Sequence, residues 1–573
     1  MENLKDFANK HEKQFAIFGI LISIVIFAIL CATQVSRWSV WFDESFTHYL
    51  IKFNFFDIAK WTAMDVHPPL FYWLLKAWGM IFGTSDVALR SMSILFGSGA
   101  IVLGFLLARK LFGKRAGYLA LPLIVLSPML IRYGIEMRMY ALVTVIVLAQ
   151  FLTLIKARET SRKAWWTTYG VLLAVGMWTQ YFSAFAVIAQ WIWLVLDARS
   201  SGFRGKKMWR NVFGFREKVT RKNFWPQIFA KNSAGFLWSL FVAAILFSPW
   251  IMTMFHQLIT VTASGFWIPP VGMNTLPDLL STTFLYQLSS YVTGWLLILM
   301  LAIFAIFAKI IWDLYRNKAL ARDKKFRENM SLILCGIIAP PLVMIAISLP
   351  PLRSAFIDRY VLASLLLISI LIAGMVSKYF DLKSNFHEKI EKLHAEFRSR
   401  VRENWSRFKW PIALYILVLV AFVIGFVNLT YWGNYNKQTG STDTIKNLMS
   451  QVSRNSGSRK IAVIADSAWS FYDSDVYASA KNPVYFLNSQ VDNYYYGSEK
   501  MLAGAPEEIA NLSSWISRND VHEVWYISSS DNEINPPKEL GSSAKNWHKV
   551  SEIKSIAPNN WSGSSEAILY QIK

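Results

Sequence analysis

Trp41 to Leu50 reads WFDESFTHYL, which sets two adjacent carboxylates, Asp43 and Glu44, in an aromatic stretch directly after an apolar run. His48 follows, then Asp65 and His67, then Arg132, Tyr133, Glu136, Arg138 and Tyr140, then Gln180 and Tyr181, and finally Arg353, Asp358, Arg359 and Tyr360. Carboxylates such as Asp43 and Glu44 can accept a proton from a hydroxyl or amine nucleophile, or hold that nucleophile by hydrogen bonds. Guanidinium groups such as Arg138 and Arg359, with His67, can neutralise a phosphate, because the planar fork suits phosphate oxygens. A base for an acceptor beside a clamp for a phosphate leaving group describes group transfer from a lipid-linked phosphate.

Each of these residues also has a plainer use. Adjacent acids can open a solvated loop, and Arg90, Arg132 and Arg353 can anchor helix ends at lipid headgroups. His67, followed by Pro68 and Pro69, can start a helix with proline in its first turn. Glu136 can pair with Arg132 or Arg138 across a turn. Chemistry is favoured by the shared side of the set: ionisable groups at membrane depth are costly, so a one-sided collection of acids and bases marks a functional site.

The elements that carry these groups read as membrane helices. Of 573 residues 54% are hydrophobic, 15% aromatic and only 17% charged, a balance unlike that of a soluble globule. Runs near or above the roughly 18 apolar residues of a spanning helix place eleven spans at about 15–35, 91–108, 116–131, 139–155, 166–182, 183–197, 234–254, 287–308, 331–349, 361–377 and 411–430. The first run lacks a small-residue cleavage site and reads as a retained span, not a signal peptide. Cys31 and Cys335 both lie in apolar runs, which leaves no material for a disulfide framework or a cysteine metal site.

The net charge of +22 is informative through its placement. With the N-terminus in the cytoplasm, the inside segments hold 37 of the 59 Lys and Arg residues, and each inside loop is more basic per residue than the external loops beside it. The basic charge is therefore loop charge, suited to topology and anionic headgroups, and no nucleic acid is expected as a partner. This orientation requires that His67–Phe82 does not cross; it reads as a helix lying at or dipping into the outer interface.

The tail from about 431 is richer in Ser, Asn, Asp and Gly. Lys460–Ala465, Pro483–Leu487 and Val521–Ile527 read as short buried strands, with helices at Ser467–Ala480 and Pro506–Ile516. Strands alternating with helices predict a small α/β domain outside the cytoplasmic membrane. The expected division is thus 1–430 and 431–573. Lys383–Arg407 is charged and helical in pattern, and reads as an interfacial cytoplasmic helix. The run Asn493–Gly497, NYYYG, reads as a strand edge or loop core in preference to a sugar-stacking surface.

Several stretches together resemble the GT-C membrane glycosyltransferases, and within them the protein O-mannosyltransferase family and its bacterial relatives. They are FDE at Phe42–Glu44, DVHPPL at Asp65–Leu70, LR at Leu89–Arg90, EMRMYAL at Glu136–Leu142 and DRY at Asp358–Tyr360. The resemblance covers about residues 15 to 430 and none of the tail. It implies inverting transfer of one sugar from a polyprenyl-phosphate donor on the outer face, with no nucleotide-sugar pocket. It also implies that Asp43 acts as, or beside, the catalytic base, that Glu44 contacts the acceptor, and that His67 and Arg138 sit near the donor phosphate. Relatives often carry Thr-His-Tyr-Phe where this chain has Thr179-Gln180-Tyr181-Phe182, which removes a cationic or metal-binding group from that turn. No segment is long enough for the luminal β-trefoil of the eukaryotic members, so a protein acceptor does not carry over.

The combined expectation is a polytopic α-helical membrane protein of GT-C fold, with about eleven spans and a small C-terminal α/β extracytoplasmic domain, located in the cell membrane. Its catalytic candidates are Asp43 and Glu44, its donor-phosphate candidates His67, Arg138 and Arg359, and its further site candidates Asp65, Tyr140, Asp358 and Tyr360. The expected partners are a polyprenyl-phosphate sugar donor, membrane lipids and an acceptor that is glycan, lipid or protein. No cofactor is expected, although Asp43, Glu44 and Asp65 offer oxygen ligands to a divalent ion. Two other functions compete. A transporter or lipid flippase would place its acids and bases near the midplane between two related halves, whereas here they gather at one face without internal symmetry. A transferase of the aminoarabinose type acting on lipid A would share the mechanism and differ in acceptor.

Overall fold

The helix Asp86–Phe112 shows how the sequence builds the bundle. Ser85 accepts the Ala88 N–H at 3.2 Å and Asp86 opens the first turn, while Arg109 and Lys110 stand in the last and Gly113, at φ +95°, ends it. Capping oxygen and acid suit the positive end of a helix, bases the negative end, and a positive φ the residue without a Cβ. A rise of about 1.5 Å per residue puts Arg90 and Arg109 roughly 30 Å apart, at opposite ends of a bilayer-length helix.

The computed structural model describes residues 11–36, 39–202, 233–264, 268–316, 323–350, 354–390, 397–432, 445–487, 501–502, 504–528, 545–556 and 564–572. The basic segment around 203–232, Arg353 and the NYYYG run lie outside the described residues.

Among the described residues eight helices are long and apolar enough to span a membrane: Glu12–Val35, Asp86–Phe112, Tyr140–Thr160, Ser233–Thr260, Gly294–Asp313, Lys324–Ile347, Asp358–Lys378 and Lys409–Thr430. The expected span at 116–131 is a broken one, Lys114–Val125 followed by Pro128–Gly134 at a bend of 62°. Pro128 disfavours helical geometry at Ser127 before it, and Ser127 restarts the chain by accepting the Leu130 N–H at 3.4 Å. The two remaining expected spans fall on the helices Lys163–Thr179 and Ala184–Gly202, which are not among these eight, and which are joined by a single 3-10 turn at Tyr181–Ser183. The span expected from 287 starts at Gly294, because Tyr286 turns left-handed at φ 50° and closes a separate helix, Thr275–Leu285.

The two ends of the bundle differ in chemistry. Around Arg109 lie the pairs Arg109–Glu12 at 2.5 Å, Lys110–Glu159 at 2.8 Å, Arg158–Glu328 at 3.3 Å and Lys378–Asp323 at 2.5 Å. At the Arg90 end three short helices, Phe42–Leu50, Phe55–Met64 and Leu70–Phe82, fill the connection between the first two spans. Leu70–Phe82 has 13 residues, too few to cross, in accord with the expected interfacial helix. The first span is drawn against the bend near Arg132 by small residues: a Cβ on Gly97 or Gly134 would lie 2.6 or 2.8 Å from the Phe27 ring.

The C-terminal region is a six-stranded sheet of order β3-β2-β1-β4-β6-β5, formed by β1 Ala462–Ala465, β2 Val484–Leu487, β3 Glu508–Ile509, β4 Glu523–Ser528, β5 Trp547–Ile556 and β6 Ser564–Ile572. β1 to β4 pair in parallel; β6 and β5 are antiparallel additions at one edge. The three expected strands form its centre. The helix expected over Pro506–Ile516 is corrected: Glu508–Ile509 is a strand, and the helix is Leu512–Asn519, capped by Asn511. The Lys383–Arg407 stretch is helical to Ile390 and again from Phe397 as extensions of two spans, with 391–396 outside the described residues. One apolar core joins the membrane helices to the sheet, running from Phe27 and Phe105 through Phe46 and Tyr49 to Phe471, Tyr472 and Trp525.

Candidate active site

Asp43 sits in the first turn of the nine-residue helix Phe42–Leu50, whose N-cap, Trp41, makes no side-chain capping hydrogen bond. So short a helix is marginal by itself and depends on its surroundings. The Asp43 carboxylate is 18% exposed and lies between two buried guanidinium groups, Arg359 Nη2 at 3.4 Å from Oδ2 and Arg138 Nε at 3.9 Å. Acid and bases thus come from three widely separated parts of the chain to one point.

Arg138 is positioned by the buried turn between Gly134 and Tyr140. Its backbone N–H donates to the Glu136 carbonyl at 2.7 Å. Its Nη1 donates to the Tyr72 hydroxyl at 3.0 Å, to Thr47 Oγ1 at 3.2 Å and to the Asp43 carbonyl at 3.4 Å. Its Nε is buried and makes no hydrogen bond among the described residues. Arg359 lies over three rings, with its guanidinium carbon 5.3 Å from the centre of Tyr140, 5.4 Å from Trp41 and 5.5 Å from Tyr360. Asp358 supports it from behind, accepting the Arg359 N–H at 2.7 Å and the Tyr133 hydroxyl at 3.1 Å.

His67 contributes a neutral ring. Burial and the charge of Arg138 hold its pKa below the usual histidine range. The ring faces Asp65 Oδ2 with Nδ1 at 3.4 Å and Arg138 Nη2 with Nε2 at 3.4 Å. The guanidinium can only donate, so Nε2 accepts and the proton is assigned to Nδ1. His67 thus bridges Asp65 and Arg138.

Glu44 is turned away from Asp43. Both its oxygens engage Arg90, Oε2 to Nη2 at 2.6 Å and Oε1 to Nε at 2.9 Å, and Oε1 also accepts the Met137 N–H at 2.9 Å. Arg90 further donates to the Val35 and Ser39 carbonyls, so it is a buried tie and not a headgroup anchor. Arg132 pairs with Glu136 at 3.0 Å, the plainer use foreseen for that acid. Among the described residues no three His, Cys, Asp or Glu side chains converge as a metal cage. The trio Asp43, Glu44 and Asp65 does not fit a divalent ion, since Glu44 is committed to Arg90.

The structure thus brings Asp43, His67, Asp65, Arg138, Tyr140, Arg359 and Tyr360 together, with Asp358 behind them and Glu44 apart. It adds Thr47 and Tyr72, which the sequence reading passed over. Thr47 is four residues after Asp43, hence on the same helix face, a spacing that could have found it. Tyr72 lies just beyond the DVHPPL stretch, among apolar neighbours that give it no signal of its own.

Residues 66–214 match the family model described as dolichyl-phosphate-mannose-protein mannosyltransferase. Among solved structures the chain is similar to ArnT from Cupriavidus metallidurans in the apo state, with a TM-score of 0.53 and 10% identity over 98% of either chain. It is similar also to that protein bound to undecaprenyl phosphate, with a TM-score of 0.52 and 11% identity over 97% of this chain and 98% of the other. At such identity the likeness is one of fold, and it extends through the C-terminal sheet. No curated protein matches the sequence.

Proposed function

We propose that this chain, a membrane glycosyltransferase of the GT-C fold in the protein mannosyltransferase group, moves one hexose or pentose from a polyprenyl-phosphate donor to an acceptor, with inversion. The observation that carries the reading is the partly exposed Asp43 carboxylate between the buried Arg138 and Arg359. In this scheme Asp43 takes the proton of the acceptor hydroxyl or amine as that atom bonds the anomeric carbon. The bond from the anomeric carbon to the phosphate oxygen breaks, and its electron pair leaves with polyprenyl phosphate. Arg138 and Arg359 receive the charge that develops on the phosphate, in a low-dielectric setting where fixed donors need no reorganisation. The Nε–H of Arg138, which faces Asp43 at 3.9 Å but makes no hydrogen bond among the described residues, supplies one donor to a phosphate oxygen.

The remaining residues serve these three. Tyr72, Thr47 and neutral His67 fix the fork of Arg138; Tyr140, Tyr360 and Asp358 hold Arg359. Glu44 holds the helix that carries Asp43, and this role replaces direct acceptor contact. The site end of the bundle faces the outside, because the basic loops lie at the other end, and the C-terminal α/β domain is extracytoplasmic with it.

The test supplies purified protein with undecaprenyl-phosphate-linked mannose, glucose, galactose and aminoarabinose, and with glycan, lipid and protein fractions of the envelope as acceptors. The expected result is release of undecaprenyl phosphate with sugar on one acceptor class, abolished by Asp43→Asn. Passage of the intact lipid-linked sugar across a bilayer, without cleavage, would establish the transporter reading instead.

A further inference from the structure

The C-terminal domain meets the membrane region on the helix that carries Asp43. Tyr472 packs edge-on against Phe42, Phe46 and Tyr49 at 5.9, 6.2 and 5.4 Å, and Phe471 against Tyr49 at 5.6 Å. Around this apolar contact stand polar ties: Lys52 to Asp475 at 2.5 Å, the Tyr49 hydroxyl to Glu507 at 3.1 Å, Lys446 to Asp86 at 2.9 Å, and the Val40 N–H to the Tyr477 hydroxyl at 2.9 Å. At the centre the Ser45 hydroxyl donates to Asp473 Oδ1.

Residues on a helix diverge by about 100° each, so Asp43, Glu44 and Ser45 leave it in three directions. Asp43 goes to the arginine pair, Glu44 to Arg90 in the membrane bundle, and Ser45 to Asp473 in the C-terminal domain. The helix has no side-chain N-cap, and the Ser45 oxygen also lies 3.3 and 3.1 Å from the Trp41 and Phe42 carbonyls. One hydroxyl carries one proton. Without Asp473 that proton returns to its own helix, where such local bonds compete with regular helical geometry, and the C-terminal side of the tie is lost.

We propose that Asp473 is a positioning residue for Asp43, acting through Ser45 to hold the short helix so that the carboxylate rests between Arg138 and Arg359. The C-terminal domain is then part of the active site's support. This inference rests on the reading of Asp43 given above.

The test measures the affinity of the full-length protein for undecaprenyl phosphate, together with hydrogen exchange over residues 42–50, in Asp473→Ala, Asp473→Asn, Ser45→Ala and the Asp473→Ala/Ser45→Ala pair. Asp43 competes with a phosphate for the two arginines, so a misplaced Asp43 gives several-fold tighter binding of this probe and faster exchange. Asp473→Ala and Ser45→Ala are expected to show both effects equally, and the double variant no more than either alone, as for partners in one contact. Asp473→Asn, which keeps an acceptor oxygen, restores wild-type behaviour. In an Asp43→Asn background the effect of Asp473→Ala on affinity disappears. Wild-type affinity and exchange in both Asp473→Ala and Ser45→Ala, or an effect that persists in the Asp43→Asn background, overturns the proposal. Where Asp473→Ala does not fold, Ser45→Ala carries the same comparison. If Asp43→Asn alone leaves the affinity unchanged, it is the reading of Asp43 that fails, and the two failures are distinct.

Discussion

Glu44 and Arg90, 46 residues apart, form a two-pronged buried ion pair with contacts of 2.6 and 2.9 Å, while the neighbouring Asp43 faces a different pair of arginines. Adjacent carboxylates therefore have separate partners. Removing one partner of a buried pair leaves an uncompensated charge and costs about 3–5 kcal/mol. Glu44→Ala and Arg90→Ala should both lower the unfolding temperature in detergent, and Glu44→Gln should do so as well, since it leaves Arg90 charged and unmatched. A Glu44→Gln protein with wild-type stability and selectively weakened acceptor binding would return Glu44 to the acceptor.

Asp43→Asn should behave in the contrary way. General-base catalysis contributes about 10²–10⁴-fold, so turnover should fall by that order with little change in unfolding temperature. Affinity for undecaprenyl phosphate should rise, because the carboxylate 3.4 Å from Arg359 and 3.9 Å from Arg138 no longer opposes the incoming anion. Equilibrium binding of the lipid phosphate beside turnover separates the two effects; substantial turnover in the variant removes Asp43 from the mechanism.

Arg138→Lys should not be conservative. The guanidinium engages Tyr72, Thr47, the Asp43 carbonyl and His67 at once, and a lysine ammonium cannot reproduce a planar fork. Charge-assisted hydrogen bonds are worth about 1.5–3 kcal/mol, so undecaprenyl phosphate binding should weaken roughly 10- to 100-fold on that scale. His67→Ala should weaken it less, since the neutral ring orients Arg138 and brings no charge. Equal losses in the two variants would mean that His67 meets the phosphate itself.

Much of this site was legible because its signals are local and its topology is countable. Asp43 follows the first apolar run while Arg138 and Arg359 precede theirs, and the loop charges predict that all three lie on one side of the membrane. What lay beyond reach were partners chosen by packing. Nothing near Glu44 names Arg90, and an arginine at a helix start reads equally well as a headgroup anchor. Ser45 and Asp473 are 428 residues apart, and neither carries a pattern of its own. The bend at Ser127-Pro128 had its signal in the proline, yet the apolar residues around it read as one continuous span. β5 and β6 escaped because Lys549, Glu552, Lys554 and Glu566 form exposed ion pairs along them, which breaks up the apolar alternation by which a strand is recognised.

The contact between Ser45 and Asp473 should also answer to pH. Burial, and then the charge of Glu44, push the Asp473 carboxyl up from 3.8 to about 7. With the domain docked the acid keeps its proton to about pH 7, and when exposed it loses it near 4, so over that window the docked form binds more protons. Stability then falls as pH rises from about 4 through 7 and stays at the lower level above. His48, in the same helix, works in the opposite sense. Burial and Lys52 hold its pKa below the usual value, so its contribution is present at neutral pH and is lost as the pH falls. The wild-type curve mixes the two, and Asp473→Asn isolates the first. Protection of residues 42–50 from exchange, measured from pH 5 to 8 and corrected for intrinsic rates, should fall with pH in the wild type relative to Asp473→Asn, in which the His48 contribution remains. Parallel curves would show that Asp473 is already ionised when docked, and that Ser45 binds a carboxylate throughout.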